Sequence, residues 1–307
     1  MLANGLGTAD NPVFAGVLDL ALLCLGATLK GVELLDGGAV TVAFNPVGGF
    51  HHAGPDHAEG FCYLNDICIA INRLLAKGYE RILYVDTDAH HCNGVQNAYY
   101  ADPRVLVFSM HQSGESLYPG TGFENEFGVG AGAGFTVNLP LPEYTDDACF
   151  EQAFIAIYPQ LVAAFRPQFV IAQIGLDILK RDPLTNLRCT NNGYRRVVRQ
   201  IGQSCDKVLA LGGGGYSLSD AVRGWTLAWA ELNGLEPVDP YAGLMGGNLY
   251  GQAGQSLEDE PYSLPAALKA DVERYIQARL AYLEREVLPR LRAYLDSSCK
   301  VFLKLNS

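Results

Sequence analysis

The stretch Tyr84–Asn93 carries four residues able to do metal chemistry, Asp86, Asp88, His90 and His91, directly behind a short apolar run, Arg81-Ile82-Leu83-Tyr84-Val85. On an extended backbone, side chains two residues apart point the same way, so Asp86, Asp88 and His90 converge at the carboxyl end of that strand. An open parallel sheet binds its ligands at this end. A carboxylate and an imidazole at such spacing can grip one divalent cation if a distant residue completes the shell. The plainer reading is a polar strand-to-helix loop in which aspartate caps a helix and the histidines are satisfied locally.

The elements that would position these groups alternate along the chain. Ala39 to Phe44 reads as a buried strand closed by Gly48-Gly49, and a polar loop follows that holds three of the six histidines, His51, His52 and His57. Asn65 or Asp66 can cap a helix from Ile67 to Ala76 that leads into the Asp86 strand. Arg104 to His111 is a further strand, and the glycine-rich run from Ser116 to Gly134 is a long loop of the functional kind. Phe135 to Leu139 predicts a strand, Asp146 to Phe165 a helix, and Phe169 to Gly175 a strand whose end carries Asp177. Asn192 to Cys205 predicts a helix. Lys207 to Leu211 is the last clear strand, and it ends in Gly212-Gly213-Gly214-Gly215-Tyr216.

Strands alternating with helices predict a three-layer α/β/α fold with a mainly parallel central sheet. At the amino end, Asn11-Pro12 can start a helix. Phe14, Val17, Leu18, Ala21, Leu22, Leu25 and Leu29 then follow at helical spacing and predict a helix that is mostly core. At the other end, residues 264–295 carry an apolar stripe from Leu268 to Leu291 and predict a helical segment docked on its own domain.

The 307 residues allow one large domain over 1–307, and a net charge of −11 offers no field that would hold nucleic acid or an anionic membrane. The eight cysteines form no CxxC pair and several sit in apolar runs, as expected of reduced thiols in a cytoplasmic protein. No basic leader precedes the first apolar stretch, and Asp19 interrupts it, so neither a signal peptide nor a membrane helix is expected there.

Four segments in order, Gly5 to Phe14, Asp86 to Val95, Tyr118 to Gly122 and Gly212 to Tyr216, resemble the zinc-dependent histone deacetylase family with its arginase/deacetylase fold. Within it the chain is most similar to prokaryotic acetoin-utilisation deacetylases, over about Gly5 to Trp225. The resemblance implies Asp88, His90 and Asp177 as ligands of Zn²⁺, with Fe²⁺ also suited to such a set. It implies His51 and His52 as the acid/base pair, Asp86 as the carboxylate behind His51, Asn93 as the partner of His52, and Tyr216 as donor to the developing oxyanion. Phe61 and Tyr118 match the walls around an extended acyl-lysine chain, Leu184 the tunnel mouth, Asp10 a carboxylate that holds substrate backbone, and Gly214 a substrate-binding position. Asp86, Asp88, His90, Ser109 and Met110 match a structural K⁺ or Na⁺ site.

Two departures stand out. The family's usual Gly-Asp is Cys92-Asn93, which gives His52 a neutral partner and puts a thiol where it could crowd the backbone. Ile178-Leu179-Lys180-Arg181 places two positive charges near the expected mouth, where they would disfavour a lysine-rich peptide. The family's N-terminal edge elements are not matched, so the expected fold lacks them, and the bare sheet edge this leaves predicts a homo-oligomer. The expected activity is removal of acetyl or other short acyl groups from lysine of a peptide or protein. The competing readings are an amidohydrolase of acetylpolyamines or other small acylated amines, and an inactive acyl-lysine binder.

Overall fold

The computed structural model describes residues 1–235 and 257–295. Six strands, β1 (Val42–Asn45), β2 (Ile82–Asp86), β3 (Val105–Gln112), β4 (Thr136–Leu141), β5 (Phe169–Gln173) and β6 (Val208–Leu211), form one sheet in the order β1-β6-β5-β2-β3-β4. Every pairing is parallel. The expected parallel α/β architecture is therefore the one observed.

The strands are buried on both sides, and alternate residues feed two different cores. Tyr84, Val107, Ile171 and Leu209 face α1 (Val17–Asp36), α2 (Asp66–Ala76) and α3 (Asn93–Tyr99). Val85, Phe108, Ala172 and Ala210 face α4 (Asp147–Phe165), α5 (Asn191–Gly202), α6 (Leu218–Leu232) and α7 (Ala266–Tyr282). Helix α4 is long and apolar enough to cross a membrane by composition, yet it buries Phe150, Phe154, Ile157, Tyr158, Leu161 and Phe165 in the second core. Phe154 is fully buried, its ring 4.5 Å from that of Tyr158 and 6.0 Å from that of Phe108. Phe154→Ala is expected to cost about 3–5 kcal/mol, measured as a fall in the urea midpoint with an unchanged slope.

The register does the positioning. Asn45 pairs with Leu211, Leu211 with Gln173, Gln173 with Asp86 and Asp86 with Ser109. These strand ends therefore stand in one row along one edge of the sheet, and the loops beyond them share the same space. Residues 264–295 run along the β4 side, with Val272, Ile276, Leu280, Leu283, Val287 and Leu291 buried. The helical path there contains a π-turn at Leu283–Val287.

The amino-terminal expectation is corrected. Helix α1 begins at Val17, after Gly16 in a left-handed conformation, and not at Asn11-Pro12. Asn11 is buried, and its side chain donates to the carbonyl of Cys62 at 3.2 Å, so it ties down a loop instead of capping a helix. The face of α1 that packs is Cys24, Thr28, Gly31, Val32 and Leu35. Phe14, Leu18 and Leu22 point outward and are exposed. The apolar spacing was genuinely helical, but a helix long enough to carry two apolar faces does not reveal which one docks.

Candidate active site

Beyond the end of β2 the chain turns through Asp88 and His90, and each carboxylate accepts from the backbone N–H two residues on. Asp88 N donates to Asp86 at 3.1 Å, and His90 N donates to Asp88 at 2.8 Å. Strand β2 ends at Asp86 and residues 88–90 form a bend, so these Asx-type turns, and not the strand alternation expected, aim Asp88 and His90. Asp177 arrives from the loop after β5 and accepts from Ala89 N at 2.8 Å. Its second oxygen lies 2.9 Å from His90 Nδ1, which is also 3.1 Å from Asp88 Oδ1. Ligand atoms of Asp88, His90 and Asp177 all fall within 4.8 Å of one another, and the three residues are buried.

Burial and the neighbouring Asp88 charge push the Asp177 carboxyl up. Burial alone would lower His90, but Asp177 and Asp88 outweigh it and raise its pKa. Two carboxylates buried this close together call for a cation, and the donor set of one imidazole and two carboxylates suits Zn²⁺ or Fe²⁺. The Asp88 oxygen remote from His90 accepts from Gln173 Nε2 at 2.7 Å and Gly214 N at 2.9 Å. A Cβ on Gly214 would lie 2.2 Å from the Asp177 carboxylate, so only glycine lets the backbone come this close. The residues present therefore fit a bound divalent metal.

His51 and His52 stand beside this cluster. His51 Nδ1 is 2.8 Å from Asp86 Oδ2, and Asp86 is further held by the Tyr84 hydroxyl. His52 Nδ1 is 2.7 Å from Asn93 Oδ1, and the two Nε2 atoms are 3.1 Å apart. Both Nδ1 atoms face oxygens that can only accept, so both are protonated, and a single proton must lie between the Nε2 atoms. It belongs to His51. Burial lowers His51, but the charges of Asp86 and Asp88 outweigh it and raise its pKa, whereas burial and positive His51 hold His52 well below the ordinary imidazole range.

A cavity of about 190 Å³ is lined by His51, His52, Phe61, Asp88, His90, Gly214 and Tyr216 among others. The Phe61 and Tyr216 rings lie 5.8 Å apart, and the Tyr118 ring stands edge-on to His52 at 5.2 Å. Phe61 is held at φ 65°, an unusual conformation for a non-glycine residue and one found at functional sites. Burial and the charges of Asp177 and Asp88 push the Tyr216 phenol up, which keeps it a proton donor. Leu184 and Asp10 are exposed and are not part of this cavity wall. Asp10 is near enough to Tyr118 for its charge to act on that hydroxyl. Ser109 and Met110 are buried on β3, with Ser109 directly opposite Asp86.

Taken from the residues alone, the site is a buried anionic cluster fit for a metal, with two hydrogen-bonded imidazoles and a phenol beside one cavity. A histone deacetylase domain model matches residues 2–232. The chain belongs to the histone deacetylase domain family.

Among its relatives, the chain is 41% identical over 239 residues to the acetoin utilization protein AcuC of Bacillus subtilis, a match covering 76% of this chain and 62% of that one. It is 37% identical over 233 residues to histone deacetylase 8 of Xenopus tropicalis, covering 76% and 63%. The chain thus spans less than two thirds of the length of these relatives. A crystal structure of an HDAC homologue from Aquifex aeolicus superposes with a TM-score of 0.77 at 33% identity, covering 88% of this chain and 76% of that one. The same figures hold for an HDAC homologue complexed with SAHA.

Where the chain departs from the family pattern, the structure gives reasons. Cys92 does not crowd the site: its side chain is fully buried in the core beneath α1, α2 and α3 and lies outside the cavity wall. The expected positive patch is corrected at Arg181 and not at Lys180. Arg181 pairs with Asp220, which also accepts from Arg223, and Lys180 sits over the Tyr262 ring at 5.3 Å. The Arg181 charge is neutralised where it stands. Residues not singled out from the sequence complete the site. Gln173 could have been found as the strand end in register with the metal strand, and Tyr84 as the residue two before Asp86. Asp182 and Glu59 left no local signal, and Asp66 stood out only as a candidate helix cap. Asp66 accepts from Gly49 N at 3.1 Å and Phe50 N at 2.9 Å and so anchors the His51 loop, while Asp182 accepts from Tyr216 N at 2.7 Å.

Proposed function

We propose that the chain is a metal-dependent amidohydrolase that removes acetyl or another short acyl group from a lysine side chain. The observation that carries this reading is the His51–His52 pair, with its Nε2 atoms facing one another in the cavity that Asp88 and His90 also line. Asp88, His90 and Asp177 would hold Zn²⁺, or Fe²⁺ in its place. When bound, the ion polarises the amide carbonyl and brings the pKa of water towards neutrality.

The remaining work falls to the chain. His52, its Nδ1 proton committed to Asn93, offers Nε2 as the base that takes a proton from the attacking water. His51, charged and backed by Asp86, supplies a proton to the leaving amine. Tyr216 donates to the carbonyl oxygen as it becomes an oxyanion. Phe61 and Tyr118 would grip the aliphatic part of the acyl-lysine, Gly214 would line its path, and Leu184 and Asp10 would meet the rest of the peptide outside.

Asp86, Asp88, His90, Ser109 and Met110 would hold K⁺ or Na⁺, Met110 and some of the others through main-chain carbonyls, a reading supported by the pairing of Asp86 with Ser109 across β2 and β3. We further take residues 1–307 as one domain and the cytoplasm as its compartment, which suits the free thiols. Strand β1 has a neighbour on its β6 side alone among the described residues, an edge that favours self-association. Elution as a monomer from a sizing column at micromolar concentration would remove the homo-oligomer from this account.

The test is turnover of a panel of acetyl-lysine peptides, longer acyl-lysine peptides and acetylpolyamines by protein loaded with Zn²⁺ or Fe²⁺. Hydrolysis of the acyl-lysine peptides is expected, abolished by a chelator and regained on adding metal. Faster turnover of acetylpolyamines would move the substrate to small acylated amines. Peptide binding without turnover by any loaded form would make the chain an acyl-lysine binder.

A further inference from the structure

The partner of His52 is an amide, and an amide can present either of two faces. With Oδ1 towards the imidazole, Asn93 accepts the Nδ1 proton and leaves Nε2 as a base. Rotated by a half turn, it would put its NH₂ against Nδ1, favour the tautomer protonated at Nε2, and block the base. A carboxylate at position 93 would carry no such ambiguity, because both its oxygens accept.

Glu59 resolves it. Its Oε1 accepts from Asn93 Nδ2 at 3.2 Å, on the side of the amide away from His52. A carboxylate cannot donate, so it tolerates only the NH₂ face. Glu59 is itself held in place: its backbone exchanges two hydrogen bonds with Cys62, of 3.0 and 2.8 Å. Its carboxylate also accepts from the Tyr118 hydroxyl and lies 3.2 Å from His57 Nε2.

We infer that Glu59 is a positioning residue that sets the tautomer of His52 through the Asn93 amide, so that Glu59 and Asn93 together replace a single carboxylate. This rests on the deacetylase reading for its consequence in turnover, but the tautomer itself is a property of the resting protein. The pair also makes a prediction about swaps. Asn93→Asp alone would set a carboxylate oxygen against Glu59, about 3 Å away, and the two would repel. Removing Glu59 at the same time would relieve that repulsion and leave an acceptor that needs no orienting.

Glu59→Ser is expected to lower kcat about 10- to 100-fold, the range seen when a partner behind a metal-site group is removed, with KM within about twofold. Asn93→Asp is expected to fall similarly. The double variant Glu59→Ser/Asn93→Asp is expected to recover to within about threefold of the parent, and Glu59→Gln, which can still accept from the amide, to lose the least. Full kcat in Glu59→Ser, or losses that multiply in the double variant as a merely structural role would give, overturns the inference.

Two-bond ¹H–¹⁵N spectra of the histidine-labelled protein, with His52 assigned by its absence in His52→Phe, decide the matter without substrate. The Nδ1–H tautomer is expected in the parent, and a shift towards Nε2–H in Glu59→Ser. An unchanged tautomer overturns the inference. A parent that shows the expected tautomers but hydrolyses no acyl-amide would sink the deacetylase reading and leave the Glu59 assignment standing.

Discussion

Asp177→Asn is expected to cost the loaded protein its metal and at least about 10³-fold in kcat/KM, since polarisation by a bound ion is worth several kcal/mol of barrier. The position has no substitute nearby. One Asp177 oxygen faces His90 Nδ1 and the other accepts from Ala89 N, so an amide would have to turn its NH₂ either to the ring nitrogen or to a backbone N–H. It would also remove one of the two negative charges that make the pocket attractive to a cation. Elemental analysis of the purified variant beside acyl-lysine kinetics checks this. A variant that keeps a full equivalent of metal and its turnover would show that Asp177 is not a ligand.

His52→Ala is expected to lower kcat by about 10² to 10⁴ with metal content unchanged, the range attributed to a positioned general base. The reason lies in the protonation of the pair. His51 holds the shared proton because Asp86 stands behind it, so the Nε2 of His52 is the unprotonated nitrogen of the pair, the one that would turn from His51 to the attacking water. Loss of His52 removes the base while Asp88, His90 and Asp177 keep their contacts. A fall of less than about tenfold would mean that water is activated without it, and the acid/base assignment would have to be redrawn.

What could be read in advance divides along physical lines. The strand residues of β2 and β5 announced themselves by apolar composition, and the carboxylates and imidazoles by their spacing, because both are properties of a few consecutive residues. Asn65 was one of two candidate caps for α2, and it is the residue that accepts from Cys68 N at 2.9 Å. Helix α1 shows the opposite case. Its leucines have helical periodicity, yet the side that docks is the one bearing Cys24, Thr28 and Gly31, and the choice depends on where α2, β1 and β6 lie. Arg181 looked like a free charge at the mouth of the site because Asp220, 39 residues further along, is invisible to any local window.

By itself, the sequence determined that Asp86, Asp88 and His90 lie together at one strand end, that histidines 51 and 52 follow another strand, and that the fold alternates strands with helices. Tertiary structure alone decided that β2 lies between β5 and β3, and so placed Gln173 and Ser109 beside Asp86. It also brought Gly214 against both metal-site carboxylates and Glu59 behind Asn93. Periodicity and capping are encoded within a turn or two of chain. Strand order and the meeting of loops are set by how the whole core packs, and no short stretch of residues carries that information.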